Sequence, residues 1–280
     1  MTYAIIGAKG MLGRALSELF TREERPFKGY DLPDFDLTQR DQVEALVASG
    51  TTAVFNCAAW TNVDSAEQEE AAATKLNGEA VALLAEVSAT HRVPLIHYST
   101  DYVFPGDAKQ PYRVDEPLAP LNAYGRSKAI GERAIRKVGG SHLILRTSWL
   151  YAPWANNFVR TIFKASRERD SLNVVDDQLG RPTSAEHLAR GSLALLDKKA
   201  NGTFHVTDGG QCSWYEFAAE IVRLAGHKAK VNPCTSAEFV RPAKRPAYSV
   251  LDLEPTEMLI GPMPRWQDNL ADVISRLEPV

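Results

Sequence analysis

The chain has 280 residues, of which 44% are hydrophobic and 24% are charged, and its formal net charge is −3. This composition is that of an ordinary globular protein and excludes the strongly basic surface that attracts nucleic acid or an anionic membrane. We therefore predict neither nucleic acid nor a membrane as a partner.

The beginning of the chain, "MTYAII", leads directly into a strand pattern, without the basic and apolar regions of a signal peptide. No segment has the roughly 20 consecutive apolar residues that span a bilayer. Cys57, Cys212 and Cys234 are widely separated, and the six histidines show no metal-ligand spacing, so neither a disulfide framework nor a metal site is predicted. Together these features indicate a cytoplasmic protein.

The first element reads as a strand followed by a helix, "YAIIGAKGMLGRALSELF", with three evenly spaced glycines. Glycine permits a tight turn and lets the backbone approach a pyrophosphate, while the helix N-terminus adds free N–H groups. We interpret this segment as a dinucleotide-binding loop; the alternative is a strand-to-helix turn that only requires small residues. The residues expected against the cofactor are Gly7, Lys9, Gly10, Met11, Leu12 and Gly13.

The next two strands end in residues that suit the same cofactor. Asp31 ends the second strand, where a carboxylate hydrogen-bonds the adenosine ribose and repels the 2′-phosphate of NADPH. Lys9 and Arg14 flank this position and offset the repulsion, so the choice between NADH and NADPH stays open. The third strand ends in "NCAA", small residues that let the backbone lie against the cofactor, with simple tight packing as the alternative. The expected contacts are Cys57, Ala58 and Ala59.

The fourth strand, in "PLIHYSTDYVFPG", ends in polar residues at the edge where open α/β sheets bind ligands. Alternation along a strand predicts Thr100 and Tyr102 on one side and Asp101 on the other. A long loop leads to "LNAYGRSKAIGE", which reads as a helix with Tyr124 and Lys128 on one face. When a nicotinamide reduces a carbonyl, the oxygen needs a proton, which a phenol can supply. A nearby ammonium is expected to lower the tyrosine pKa; packing and solvated surface are the alternative for this pair.

Short apolar runs that alternate with amphipathic helices predict a Rossmann-type, doubly wound parallel sheet. After about residue 150 the pattern loosens, although "LNVVDD" and "GTFHVTD" read as strands and "SWYEFAAEIVRLAG" as a helix capped by Ser213. From "NPCTSAEF" onward there is little regular periodicity. We expect a dinucleotide-binding domain at 1–150, with returns around 184–208, and a smaller C-terminal α/β substrate lobe at 151–183 and 209–280.

These motifs, together with "NCAAWTNVDSAE", "YGRSK", "RTSWLY", "DDQLGRPTS" and "RPAYSVLD", resemble the extended short-chain dehydrogenases/reductases, and within them the dTDP-4-dehydrorhamnose reductase family. The resemblance extends over nearly the whole chain. It implies that Tyr124 is the proton donor, that Lys128 is its partner and cofactor contact, and that Thr100 is the third catalytic residue. The substrate-binding residues expected are Thr61, Val63, Thr100, Asp101, Tyr102, Trp149, Asn157 and Arg181.

Some of these residues have structural alternatives. Val63 and Trp149 suit core packing, Thr61 suits a helix cap, and the Asn157 amide is either a substrate contact or a structural group. A nucleotide sugar also carries a diphosphate, for which Arg181 is a candidate because a guanidinium pairs bidentately with phosphate. Arg245, in "KRPAYS", is a second candidate. Solvated surface arginines are the alternative for both.

The resemblance implies NADPH- or NADH-dependent reduction of the 4-keto group of dTDP-4-dehydro-L-rhamnose (dTDP-6-deoxy-L-lyxo-4-hexulose) to dTDP-L-rhamnose. A dehydratase or epimerase is a second class, but in related dehydratases the catalytic Thr precedes Asp-Glu, whereas Asp101 and Tyr102 follow Thr100 here. The open alternatives are a reductase that makes a different dTDP-6-deoxysugar, and a non-catalytic NADP-binding subunit like the beta subunit of methionine adenosyltransferase. Relatives also include homodimers, some with Mg²⁺ at the dimer contact, but no carboxylate cluster here identifies ligands for Mg²⁺.

Overall fold

The computed structural model describes residues 2–277. The strands in that range are β1 Thr2–Ile6, β2 Phe27–Tyr30, β3 Thr51–Asn56, β4 Leu95–Thr100, β5 His142–Thr147, β6 Leu150–Tyr151, β7 Ser171–Val175, β8 Leu179–Gly180, β9 Thr183–Ser184, β10 Gly202–His205, β11 Cys212–Ser213 and β12 Lys230–Cys234. Six of them form a parallel sheet in the order β10-β5-β4-β3-β1-β2. The strand order reverses between β1 and β3, at the switch point where such sheets bind ligands. The predicted doubly wound parallel sheet is confirmed.

Helices cover both faces of the sheet and build the rest of the chain. They are α1 Met11–Arg22, α2 Arg40–Ala48, α3 Val63–Gln68, α4 Glu70–Thr74, α5 Ala80–Thr90, α6 Ala123–Val138, α7 Phe158–Glu168, α8 Ala185–Asp197, α9 Trp214–Leu224, α10 Glu254–Ile260 and α11 Trp266–Ser275. Local sequence sets several of their starts. The Asn122 side chain caps α6, and Ser213 forms a capping box with Glu216 at the start of α9, where a Ser213 cap was predicted.

Two apolar cores lie on opposite faces of the sheet. Leu16 and Phe20 of α1 pack with Leu188 of α8 on one face, and Val43 of α2 packs with Leu84 of α5 on the other. Every residue of β4, the third strand from the β10 edge, is buried. Burial on both faces explains why the strands read as continuous apolar runs rather than as alternating patterns.

A third apolar core is formed almost entirely by the second half of the chain. Val159 of α7, Phe217 of α9 and Leu270 of α11 are fully or almost fully buried within it, beside the two-stranded sheet of β7 and β12. This separate core supports a substrate lobe at 151–183 and 209–280. The division of the chain into two domains stays a proposal.

The structure differs from the sequence-based expectations in two segments. The region after residue 234 contains two helices, α10 and α11, where little periodicity was expected. Trp266, Leu270, Val273 and Ile274 are the buried residues of α11, and their spacing is helical, so this signal was present. In addition, α4 and α5 are joined by a π-helical turn, Lys75–Glu79, which was not expected from the sequence.

Candidate active site

A cavity of about 740 Å³ runs along the carboxyl ends of β1, β3 and β4 and extends to residues of the lobe. The predicted site residues that line it are Gly7, Lys9, Gly10, Met11, Leu12, Asp31, Cys57, Ala58, Ala59, Thr61, Val63, Thr100, Asp101, Tyr102, Tyr124, Lys128, Trp149 and Asn157. Gly13 and Arg181 were also predicted, but they are not part of this lining.

The glycine loop is shaped by close backbone contacts. Gly7 has a φ of +79°, and a Cβ atom there would lie 2.7 Å from the backbone nitrogen of Ala58. A Cβ atom on Gly13 would lie 2.1 Å from the carbonyl oxygen of Gly7. In the part of the chain that the structure describes, no side chain caps α1, which begins at Met11. Gly13 therefore packs behind the loop, while Met11 and Leu12 at the start of α1 line the cavity.

Asp31 lies beside this loop, where its carboxylate accepts a hydrogen bond of 3.0 Å from the backbone N–H of Lys9. Of the two basic residues expected to flank it, only Lys9 lines the cavity. Arg14 instead pairs with Glu18 at 2.8 Å and lies over the ring of Trp154. Arg14 therefore lies outside the lining of this pocket, with its guanidinium engaged by Glu18 and Trp154.

The end of β4 changes conformation at Thr100. The strand stops there, and a 3₁₀ turn, Asp101–Val103, begins with the Thr100 hydroxyl accepting a hydrogen bond from the N–H of Tyr102. The same hydroxyl donates to the Asp101 carboxylate at 2.9 Å. Strand alternation therefore does not extend past Thr100, and Asp101 and Tyr102 both line the cavity. Burial raises the pKa of Asp101 to about 6.

Tyr124 and Lys128 lie on α6, one turn apart, as expected. Gly125 between them lets the helix approach the 3₁₀ turn, because a Cβ atom there would lie 2.2 Å from the Tyr102 carbonyl oxygen. The rings of Tyr124 and Tyr102 meet edge to face, with centroids 5.9 Å apart.

The pKa of Tyr124 does not follow the sequence-based expectation of a shift downward. Burial, followed by the charge of Asp101, raises it to about 12, while the Thr100 hydroxyl opposes the rise. Burial also lowers the pKa of Lys128 to about 8. The phenol is therefore protonated at neutral pH, which is the state that a proton donor requires.

Trp149 has a φ of +47°, a left-handed conformation that is costly for a non-glycine residue. Its ring stacks on Trp214, with centroids 3.6 Å apart and planes at 11°. Both indoles line the cavity. Gly180 makes room for Trp149, since a Cβ atom at 180 would lie 2.6 Å from the indole ring.

Three other candidate substrate contacts, Asn157, Arg181 and Arg245, also make polar contacts within the protein, and their contact with substrate stays a prediction. The Asn157 oxygen caps α7 through the N–H of Arg160, and its amide nitrogen donates to three backbone carbonyls. Arg181 donates to the carbonyl of Gly210 at 2.8 Å. The guanidinium of Arg245 pairs with Asp64 at 3.0 Å. The helix cap considered for Thr61 falls instead on its neighbour Asn62.

Several residues of the cavity wall were not predicted from the sequence. Tyr30, at the end of β2, and three apolar residues after it lie on one side, and Asn156 and Trp214 lie on the lobe side; the residues that were not predicted include Tyr30, Leu32, Phe35, Leu37, Asn156 and Trp214. The four residues at the end of β2 and beyond flank Asp31, so their proximity to the expected adenosine contact was the available signal. For Trp214 the sequence carried no such signal, because the residue it stacks on is far away in the chain.

Among residues 2–277, no three His, Cys, Asp or Glu side chains are grouped so that they could hold a metal ion. Over the same range, no helix is long and apolar enough to cross a bilayer.

Comparison with known proteins adds to this geometry. The family model described as RmlD substrate binding domain matches residues 1–278. A probable dTDP-4,6-dihydroxy-2-methyloxan-3-one 4-ketoreductase of Streptomyces antibioticus is 44% identical over 255 residues, covering 90% of this chain and 86% of that protein. A dTDP-4-dehydrorhamnose reductase of Streptomyces griseus is 39% identical over 279 residues, covering 96% and 92%. The crystal structure of a dTDP-4-dehydrorhamnose reductase from Bacillus anthracis in complex with NADP matches with a TM-score of 0.94 and 36% identity, covering 98% of each chain.

Proposed function

The chain belongs to the RmlD substrate binding domain family, and we propose that it reduces the 4-keto group of dTDP-4-dehydro-L-rhamnose to give dTDP-L-rhamnose, with NADPH or NADH as the reductant. The proposal rests on one observation: the glycine loop, Thr100, Tyr124 and Lys128 all line the same cavity. The family's relatives from Streptomyces griseus and Bacillus anthracis are both dTDP-4-dehydrorhamnose reductases.

The residues present fit a dinucleotide. The close contacts of Gly7 and Gly13 leave room for a pyrophosphate in front of the loop, and the uncapped N-terminus of α1 attracts its charge. Asp31 is placed to accept hydrogen bonds from a ribose, with the apolar residues after β2 beside it. When bound, the reduced nicotinamide supplies the hydride that adds to the carbonyl carbon.

The protein's own residues then supply the rest of the reaction. Reduction of the carbonyl also requires a proton on its oxygen, which the Tyr124 phenol gives. The Lys128 ammonium stabilises the phenolate that remains, and the Thr100 hydroxyl holds the carbonyl oxygen in place. The stacked pair of Trp149 and Trp214 offers an apolar face for the sugar.

A second reductase is also a candidate. The Streptomyces antibioticus relative at 44% identity is a probable 4-ketoreductase for a different dTDP-linked ketosugar. The three residues proposed to act on the carbonyl serve either reaction equally, so discrimination rests on the sugar-binding wall. Because Thr100, Tyr124 and Lys128 are all present in one cavity, we do not favour a purely regulatory NADP-binding subunit.

The test is the loss of reduced-nicotinamide absorbance by purified protein given dTDP-4-keto-6-deoxyglucose and a 3,5-epimerase, with NADPH and NADH compared. We expect consumption that depends on the epimerase, with rhamnose as the sugar of the product. Consumption without the epimerase would favour the second candidate. Tight cofactor binding with no consumption for either ketosugar would contradict the enzyme proposal. The ratio of rates with the two cofactors decides whether the Asp31 carboxylate excludes a 2′-phosphate.

A further inference from the structure

A row of three buried polar side chains lies beside the proposed catalytic pair. Asn56 on β3, His97 on β4 and Lys128 on α6 are each no more than 2% exposed. The Lys128 Nζ lies 3.3 Å from the His97 Nε2, and the His97 Nδ1 lies 3.3 Å from the Asn56 Nδ2. His97 has no part in the proposed reaction, yet it is the direct neighbour of the lysine charge.

The chemistry of the contact assigns the protons on the ring. An ammonium has donors only, so the His97 Nε2 must accept and cannot carry a hydrogen. A neutral imidazole has one N–H, which then resides on Nδ1 and faces Asn56. Within the described chain, the Asn56 Oδ1 is buried without a hydrogen-bond partner. A half turn of the Asn56 carboxamide brings this oxygen to the Nδ1–H, so both groups are satisfied.

The surrounding charges favour this arrangement. Glu132, one turn further along α6, favours the charged form of Lys128 and opposes the lowering of its pKa by burial. Glu132 is already bonded to Arg146 at 2.8 and 2.9 Å. Burial and the charge of Lys128 hold the pKa of His97 well below its ordinary value, so the ring stays neutral. Among residues 2–277, the Lys128 Nζ has its one hydrogen-bond partner in His97.

We propose that His97 is a positioning residue for Lys128: its neutral Nδ1–H imidazole accepts a hydrogen bond from the ammonium and holds that charge one helical turn from Tyr124. The remaining N–H groups of the ammonium are then free for the ribose and the phenol. The effect on turnover rests on the proposed reductase function, whereas the hydrogen bond itself does not.

The first test needs no activity. Two-bond ¹H–¹⁵N correlation spectra of protein labelled in its imidazole nitrogens should show His97 as the Nδ1–H form near pH 7. Lys128→Met should remove that preference. His205 is a matched internal control, since its Nδ1 lies 2.9 Å from the Asp252 carbonyl and its Nε2 faces Arg146; its form should not change. A protonated Nε2, or a charged ring, at His97 of the unchanged protein would overturn the proposal.

The second test uses the pH dependence of kcat. Charged Lys128 is the active form, so the rate falls as pH rises through its pKa. His97→Leu removes the acceptor, which disfavours the charge. We expect the fall in kcat to begin about one pH unit lower than in wild type, so that kcat is about tenfold lower at pH values above the wild-type pKa. The KM for the ketosugar should stay within about twofold. Residues that face Lys128 and also titrate, Glu132, Cys57 and Tyr124, are unchanged in the comparison.

His97→Gln is the matched variant, because its amide oxygen reaches toward the position of Nε2. It should return the basic limb toward its wild-type pH, which restored packing alone would not do. An unmoved limb in a folded His97→Leu protein would overturn the proposal. If the wild-type protein reduces no dTDP-ketosugar, the proposed function fails, and the ring spectra still decide the role of His97.

Discussion

The two walls of the cavity are built in different ways. The sheet wall consists of the glycine loop, the ends of β3 and β4, and the start of α6, and it presents hydroxyl, phenol and ammonium groups. The lobe wall consists of Trp149, Asn156, Asn157 and Trp214, and it is dominated by two stacked indoles. We therefore propose that the chemistry is concentrated on the sheet wall and the recognition of the sugar on the lobe wall. Changes to the sheet wall should alter kcat or cofactor binding, and changes to the lobe wall should alter the KM of the sugar.

The largest expected effect is on the sheet wall, from Tyr124→Phe. Removing the phenol removes the proposed proton donor, and general acid catalysis contributes about 10² to 10⁴ in rate. We expect kcat to fall by that factor while the Kd of the cofactor changes little, as measured by initial rates and by titration of nicotinamide fluorescence. Tyr215→Phe on the partly exposed surface of α9 is the matched control. A fully active Tyr124→Phe protein would show that the donor lies elsewhere.

Gly13→Ala tests whether cofactor binding depends on the close backbone contact between Gly13 and Gly7 on this wall. The added Cβ atom would lie 2.1 Å from the Gly7 carbonyl oxygen, so the backbone must move. Gly10→Ala is a graded comparison, because its Cβ atom would lie 3.2 Å from the same oxygen. We expect the cofactor Kd to rise about tenfold or more for Gly13→Ala, and less for Gly10→Ala. Equal effects of the two changes would contradict a specific role for the contact with Gly7.

The same contrast between walls explains how much could be predicted from the sequence. The sheet wall could be predicted because its residues lie at the ends of elements that have a local sequence pattern. Gly7, Asp31 and Thr100 lie at the ends of strands, Tyr124 lies at the start of a helix, and the parallel sheet brings these ends together. The prediction for this wall that was wrong is the alternation of side chains past Thr100, because a 3₁₀ turn begins there.

The lobe wall depends on contacts between distant parts of the chain. Trp149 was predicted by resemblance, but its partner Trp214 follows it by 65 residues and was recognised only as a helix start. Arg181 was expected to bind substrate, which stays a prediction, and the hydrogen bond from its guanidinium to the Gly210 carbonyl could not be read from the sequence. Spacing along the chain gives no information on such pairings, because only the tertiary packing of α9 against the start of the lobe brings them about.

Asp101→Asn tests whether the sheet wall holds a charged group at the expense of stability. Burial raises the pKa of Asp101 to about 6 in the folded protein, whereas an unfolded aspartate titrates near 3.9. Above pH 6 the folded chain therefore carries a buried charge, a destabilisation on the order of 3 kcal/mol, which disappears as pH falls toward 4 and both states take up the proton. The free energy of unfolding of the variant should therefore be larger than that of wild type at pH 8, and the two values should differ little at pH 4.

Denaturant unfolding of both proteins at the two pH values measures this difference. Asp107→Asn, at an exposed position on the same loop, is the matched control and should change stability little at either pH. A gain for Asp101→Asn that is equal at pH 8 and pH 4 would show that its origin is not the carboxylate charge.

The smallest expected effect is on the lobe wall, where Trp149→Ala and Trp214→Ala should each raise the KM of the ketosugar by about tenfold, while kcat and the cofactor Kd change less. Because the two indoles stack on each other, each single change already removes part of the surface that the other provides. The double variant should therefore lose less than the sum of the two single losses, which a double-mutant cycle on kcat/KM measures. Additive losses would mean that the indoles bind the sugar independently. A fall in kcat that matches Tyr124→Phe would mean that the lobe wall takes part in the chemistry, and the division between the walls would not hold.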